Sequence, residues 1–215
     1  MVPAHKIRNP QTPREEVFNW LSHGTALALS LVGLGALIVL AMEEGAATAL
    51  ACSIYGLSLV ALFGASTFYH ASAHGPRKQL GRMLDHCAIF LLICGTYTPF
   101  MALALGGWRG WGVLTAVWLM GAFGVYHKMT AKDPFGPVAV ILCLLMGWLM
   151  MLVWNPMVAC APVATKWLLA GGAAYTLGVP FYGLWRNLPY NHGIWHLFVM
   201  AGAGCHYVAV LHVIV

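Results

Sequence analysis

Long apolar stretches cut by short polar clusters dominate the chain. Residues 17–42, 45–76, 86–108, 110–127, 134–165, 167–185 and 187–215 contain no Lys, Arg, Asp or Glu. Each is long enough for the roughly 20 helical residues that cross a bilayer core, so the pattern predicts seven transmembrane helices. The expected spans are 19–42, 47–71, 84–105, 109–127, 135–154, 164–185 and 191–213. Together they make one membrane domain over 16–215, behind a short cytoplasmic segment at 1–15. The first apolar run is too long for a signal-peptide core and carries Asn19 and His23, which predicts a retained helix. The expected fold class is an all-α, seven-transmembrane helix bundle.

Composition sharpens that picture. Of the 215 residues 60% are hydrophobic and 8% charged, against about a quarter charged in an ordinary soluble domain. So few charges cannot cover a globular surface, which excludes a soluble protein. The formal net charge of +5 needs no nucleic-acid partner, because Lys and Arg gather in cytoplasmic loops. An inside N-terminus puts Lys6, Arg8, Arg14, Arg77, Lys78, Arg82, Lys128, Lys132 and Arg186 on one face, and Arg109 and Lys166 on the other. That asymmetry predicts a cytoplasmic N-terminus and an outside C-terminus.

The connectors expected are Glu43-Glu44-Gly45, His74 to Lys78, Gly106-Gly107, Lys128 to Pro134, Asn155 to Pro162 and Arg186 to Tyr190. Pro99 and Pro180 fall within spans, where each removes a backbone hydrogen bond and predicts a kink. The small-residue run Ala170 to Ala174 favours close helix packing. No CxxC or other metal spacing joins the six cysteines. Five lie in apolar helical context as packing residues, and Cys160, in a loop, is expected as a free thiol.

Ionisable residues inside a membrane are costly and mark functional sites by default. Most of those here fall at one depth, because the chain reverses at every loop. His70 ends the second helix, Asp85 and His86 open the third, and His192 and His196 open the seventh, all from the inner side. Glu16, Asn19 and His23 enter the first helix at the same level. Ser66 and His70 are four residues apart, as are His192 and His196, so each pair shares a helix face. Two histidines so spaced can grip one metal, as in the zincin helix, although the Glu of HExxH is missing here. With His70 the set becomes three imidazoles with an open fourth position, the arrangement of a catalytic zinc site. Asp85 is then placed to act as general base or water orienter. The alternative for Asp85 is a helix N-cap or a partner of Arg82. His127, His206 and His212 are expected as packing residues; His206 lies about 15 Å deeper than His196 at about 1.5 Å of rise per residue.

Four segments carry a resemblance: Glu16 to His23 with Asn19 between, Ser66-Thr-Phe-Tyr-His70, Asp85 through Pro99-Phe100, and His192-Gly-Ile-Trp-His196. In order and position they resemble the hemolysin III family, the bacterial branch of the progestin and adipoQ receptor (PAQR) family, from about residue 14 onward. The resemblance implies a seven-helix protein of the bacterial inner membrane. It implies a zinc ion near the cytoplasmic side, held by His70, His192 and His196, with Asp85 contacting water on the metal and Ser66 in the same site. Similarity of that family to alkaline ceramidases implies a lipid amide or ester substrate, by analogy of site. The chain lacks the N-terminal extension of the animal hormone receptors, so recognition of a protein hormone is not implied.

Three functions follow as expectations. The first is a zinc-dependent lipid amide or ester hydrolase, with Asp85 and Ser66 catalytic. The second is a non-enzymatic sensor of lipid or membrane state with structural zinc, affecting membrane fluidity or energetics. The third is an ion or proton conduit or pore (cytolysis) that uses the polar residues as relays, and it is the weakest because the ionisable groups cluster on one side. Membrane lipid is the expected partner in the first two.

Overall fold

The structure is a computed structural model of the whole chain, and it describes residues 11–185 and 187–214. His5, Lys6, Arg8 and Arg186, which enter the histidine and loop-charge arguments, lie outside the described residues. The described residues are helical almost throughout, with short connectors and no strand. This is what lipid demands, since a helix pairs its own backbone groups where no water can.

Helix α1 spans Pro13–Glu43. Thr12 caps it by accepting from the backbone of Glu15, whose carboxylate returns to the Thr12 backbone, and Pro13 follows at the first turn. Next come α2, Ala46–Ala71, and α3, Pro76–Pro99, which runs on as a π-helical turn over Phe100–Leu105. Helix α4 is Gly107–Thr130 and α5 is Pro137–Trp148. A 3₁₀ turn at Leu149–Val153 leads into α6, Trp154–Cys160, followed by α7, Pro162–Gly183, and α8, Asn191–Ile214.

Five of these rods are long and apolar enough to cross a membrane: Pro13–Glu43, Ala46–Ala71, Pro76–Leu105, Pro137–Cys160 and Asn191–Ile214. Helices α4 and α7 are of comparable length but draw more of their apolar character from Gly, Trp and Tyr, which count little in hydropathy.

Two expectations need correction. Helix α3 starts at Pro76, well before the expected start at 84. Asp85 therefore sits inside a helix already underway and is not its N-cap, a position held by Gly75. Likewise Asn155 and Pro156, expected in a loop, belong to α6. Pro180 lies within α7, while at Pro99 the α-helical pattern gives way to the π turn. There Gly106 N–H reaches the Met101 carbonyl at 3.0 Å.

Helix α1 packs along α2, α2 along α3 and α7 along α8, while α8 also touches α1, α2 and α3. The interior is filled by Leu37, Tyr55, Phe90, Phe100, Met101, Val117, Met146 and Met157. Large apolar side chains such as Leu29, Val32, Val39, Leu50, Leu119 and Leu152 face outward. Such a surface would aggregate in water and suits acyl chains. Buried polar residues run the opposite way, with Asn19, His23, Ser66, His70, Asp85, His86, Lys128, His192 and His196 all inside.

Two glycines let helices close around that polar end. A Cβ on Gly81 would stand 2.8 Å from the Tyr69 Cα, so α3 lies against the end of α2 that carries His70. A Cβ on Gly193 would meet the Phe18 ring at 2.5 Å, so α8 lies against α1 between its two histidines. The entry to α8 is pinned as well. Tyr190, in the left-handed region at φ 56°, donates its N–H to Glu15 Oε1 at 2.8 Å. That conformation costs a non-glycine residue about 1–2 kcal/mol, and the charge-assisted bond to the start of α1 offsets it.

Candidate metal centre

His70 from α2 and His192 and His196 from α8 converge, as their spacing and depth predict. One ring nitrogen from each lies within 4.8 Å of the others, and all three residues are buried. His192 Nε2 is 3.2 Å from His70 Nε2. The ring centres are 5.1 Å apart for His70 and His192, 5.0 Å for His70 and His196, and 4.7 Å for His192 and His196. Three close, buried imidazoles form a donor set for a metal ion, and the cluster could hold one.

The outward nitrogens are engaged in a way that fits this. Glu16 Oε2 lies 2.7 Å from His70 Nδ1, and its other oxygen lies 2.9 Å from Lys78 Nζ. A carboxylate on Nδ1 fixes the tautomer so that Nε2 carries the free lone pair, which is how metal-binding histidines are ordinarily supported. His196 Nδ1 is 3.2 Å from Ser22 Oγ, whose hydroxyl also donates to the Asn19 carbonyl at 2.9 Å. For His70 this leaves Nε2 facing the cluster, 3.2 Å from His192 Nε2. Sequence reasoning placed Glu16 and Asn19 at this depth without giving them a role. The signal was present, because residues 16, 19 and 23 share one face of α1.

Ser66 and Asp85 stand beside the cluster rather than within it. Ser66 Oγ lies 2.7 Å from His23 Nδ1, and Asp85 is close enough to the same Ser66 to interact with it. His23 in turn stacks face to face on His196, with ring centres 3.5 Å apart and planes 9° from parallel. A continuous polar chain therefore runs from Asp85 through Ser66 and His23 to the rim of the histidine cluster. His23 was the residue whose importance only the packing revealed. The remaining histidines have other surroundings: His206 Nε2 lies 3.2 Å from the Leu168 carbonyl, His127 packs against Phe123, and His212 is exposed. All six cysteines are free, Cys160 among them.

A cavity of about 190 Å³ abuts the site. His23, Tyr182 and Trp195 line it near the cluster, and it continues past Ile93, Tyr97 and Met150 to His206. The three clustered histidines are not among its lining residues, whereas His23, whose ring stacks on His196, is.

Known proteins are similar to this chain over most of its length. A sequence model described as "Haemolysin-III related" matches residues 11–207. The chain is 37% identical to "Hemolysin-3" of Bacillus cereus over 95% of its own length and 94% of that protein's. It is 36% identical to "Hemolysin-3 homolog" of Bacillus subtilis (strain 168), over 93% and 94%. It is also 28% identical to human "Monocyte to macrophage differentiation factor", over 97% and 87%. With its apolar helices and these bacterial relatives, it is a multi-pass membrane protein, consistent with the bacterial inner membrane. The match across nearly all of the described bundle leads to one assignment: the chain belongs to the haemolysin-III related family.

Proposed function

We propose that the chain is a zinc-dependent hydrolase of a lipid amide or ester, with its site at the cytoplasmic end of a bundle that crosses the membrane seven times. The N-terminus lies inside and the C-terminus outside, in keeping with the weight of Lys and Arg on one set of loops. The observation that carries the proposal is the convergence of His70, His192 and His196, with one ring nitrogen of each within 4.8 Å of the others. Zinc suits three neutral imidazoles in a site that leaves a fourth position available.

When bound, zinc supplies Lewis acidity, lowering the pKa of water to about 7 and polarising an acyl carbonyl. The protein's own groups do the rest. Glu16 holds His70 in the tautomer that presents Nε2, and Ser22 holds His196. Asp85 accepts or orients the proton of the attacking water. Ser66, which lies 2.7 Å from His23 Nδ1 and close to Asp85, donates its hydroxyl hydrogen bond to the developing oxyanion. The apolar cavity takes the acyl chain and excludes bulk water from it.

The test is Asp85→Asn in detergent-purified protein, with bound zinc and turnover of long-chain amides and esters measured side by side. The expected outcome is full zinc occupancy with loss of turnover. Unchanged turnover in Asp85→Asn would overturn the catalytic role of this residue.

One observation favours a second reading, a lipid or membrane-state sensor with structural zinc. The three histidines are buried and stand apart from the cavity lining, as a metal clip between α2 and α8 would. That reading predicts zinc-dependent stability with no hydrolysis of any acyl substrate offered.

A further inference from the structure

Lys128, in the last turn of α4, is only 3% exposed. A lysine near the end of a membrane helix ordinarily extends its stem so that the ammonium reaches water. Here it turns inward. Its Nζ lies 3.2 Å from His86 Nδ1 and 5.0 Å from the centre of the Phe135 ring. The Arg82 guanidinium covers the same ring at 3.6 Å. An imidazole and an aromatic face satisfy part of the hydrogen-bonding capacity of an ammonium, but neither supplies a negative charge.

The charged groups close enough to interact with Lys128 are Arg82 and Asp85 on α3 and Asp133 in the α4–α5 connector. Asp85 also interacts with Ser66. A compact, strongly hydrated ammonium is costly to bury, and of the two carboxylates near it Asp85 also faces the Arg82 guanidinium. Lys128 and His86 both line the cavity described above, at the end where Asp85 stands, one residue before His86. From that end the cavity runs along apolar side chains as far as Met150 and Leu168. One end is cationic and the long wall is apolar.

We propose that Lys128, supported by His86, binds an oxyanion on the ligand of this cavity, so that the ligand is an anionic acyl lipid carrying a phosphate or carboxylate. As a statement about substrate this rests on the hydrolase reading; as a statement about binding it stands on the cavity alone. A neutral acyl lipid fills the same apolar wall but adds no negative charge beside the two cations, Lys128 and Arg82.

The experiment uses purified full-length protein in neutral detergent and quenching of the cavity tryptophans, Trp148, Trp154 and Trp195, by brominated acyl chains. The probes are 9,10-dibromostearic acid, its methyl ester, and the matching dibromostearoyl lysophosphatidate. At least one anionic probe is expected to half-quench at a concentration about tenfold or more below the ester, the scale of a charge-assisted hydrogen bond. Whichever anion is preferred distinguishes a phosphate headgroup from a free carboxylate. Lys128→Met is expected to abolish the preference, and Lys128→Arg to keep most of it. Equal quenching by acid, ester and lysophosphatidate in the wild type overturns the proposal without any variant, as does a preference that survives in Lys128→Met. His196→Ala, which removes hydrolysis, is expected to retain the preference, so failure of the hydrolase reading and failure of this one are separable.

Discussion

Glu16 offers a test of the metal centre that leaves all three histidines in place. Its Oε2 lies 2.7 Å from His70 Nδ1 and its Oε1 2.9 Å from Lys78 Nζ, and its side chain is only 17% exposed. The carboxylate thus fixes the ring orientation and tautomer of His70 and adds negative charge behind it, which strengthens Nε2 as a donor. Loss of such an outer partner weakens metal binding about 10–100-fold, equivalent to about 1.4–2.8 kcal/mol. Glu16→Gln keeps an oxygen for the Nδ1 proton but loses the charge, so about tenfold is expected by that scale. Glu16→Ala loses both and leaves Lys78 without this partner, so about a hundredfold is expected. The assay is competition for zinc with a chromophoric chelator, in detergent, with helicity by circular dichroism to confirm the fold. His196→Ala, which removes a ligand, serves as the reference for complete loss. A folded Glu16→Ala that holds zinc as tightly as the wild type would refute the assignment of Glu16, and with it the inward-facing geometry of His70. Wild-type protein that binds no zinc would refute the centre itself.

Three further outcomes are expected. Stripping the metal with a chelator should lower the melting temperature, since a ligand at 100 times its Kd adds about 2.7 kcal/mol to the native state; an unchanged melting curve counts against a metal that joins α2 to α8. Tyr97→Phe should destabilise the bundle by about 1–3 kcal/mol, because the Tyr97 hydroxyl accepts from Met150 N–H and donates to the Met146 carbonyl, each at 2.8 Å, at the break between α5 and α6. Equal denaturation midpoints for that variant and the wild type would contradict this. Gly81→Ala should destabilise by about 1–3 kcal/mol through overpacking, since its Cβ would meet Tyr69 backbone at 2.8 Å, and should also weaken zinc binding by displacing His70. A stabilised Gly81→Ala would mean that helix propensity outweighs the clash.

Much of the architecture was legible because lipid imposes a severe rule on sequence. Uncharged runs long enough to span a bilayer announce helices, and the four-residue spacing of Ser66 with His70 and of His192 with His196 places each pair on one face. Reversal of the chain at each loop brings those faces to a common depth, so the three-histidine cluster could be expected before any coordinates. Helix starts were less legible. Arg77, Lys78 and Arg82 read as loop but lie in the first turns of α3, because an aqueous end of a helix tolerates charge as well as a loop does.

The tertiary structure alone decided which polar neighbours meet. No spacing rule links Glu16 to His70, Ser22 to His196, or His23 to both Ser66 and His196, since these contacts cross between helices. They depend on the rotation of α1 against α2 and α8, which close packing at Gly81 and Gly193 helps to set. The inward turn of Lys128 was hidden for the same reason. Counted by charge it belongs to a cytoplasmic loop, and only the packing of α3, α4 and Phe135 shows the ammonium enclosed. By itself the sequence determined a membrane bundle with a histidine-rich end, because hydrophobicity and helical period are local properties. The shape of the cavity and the partners of each polar atom are properties of helices in contact, and those were decided in three dimensions.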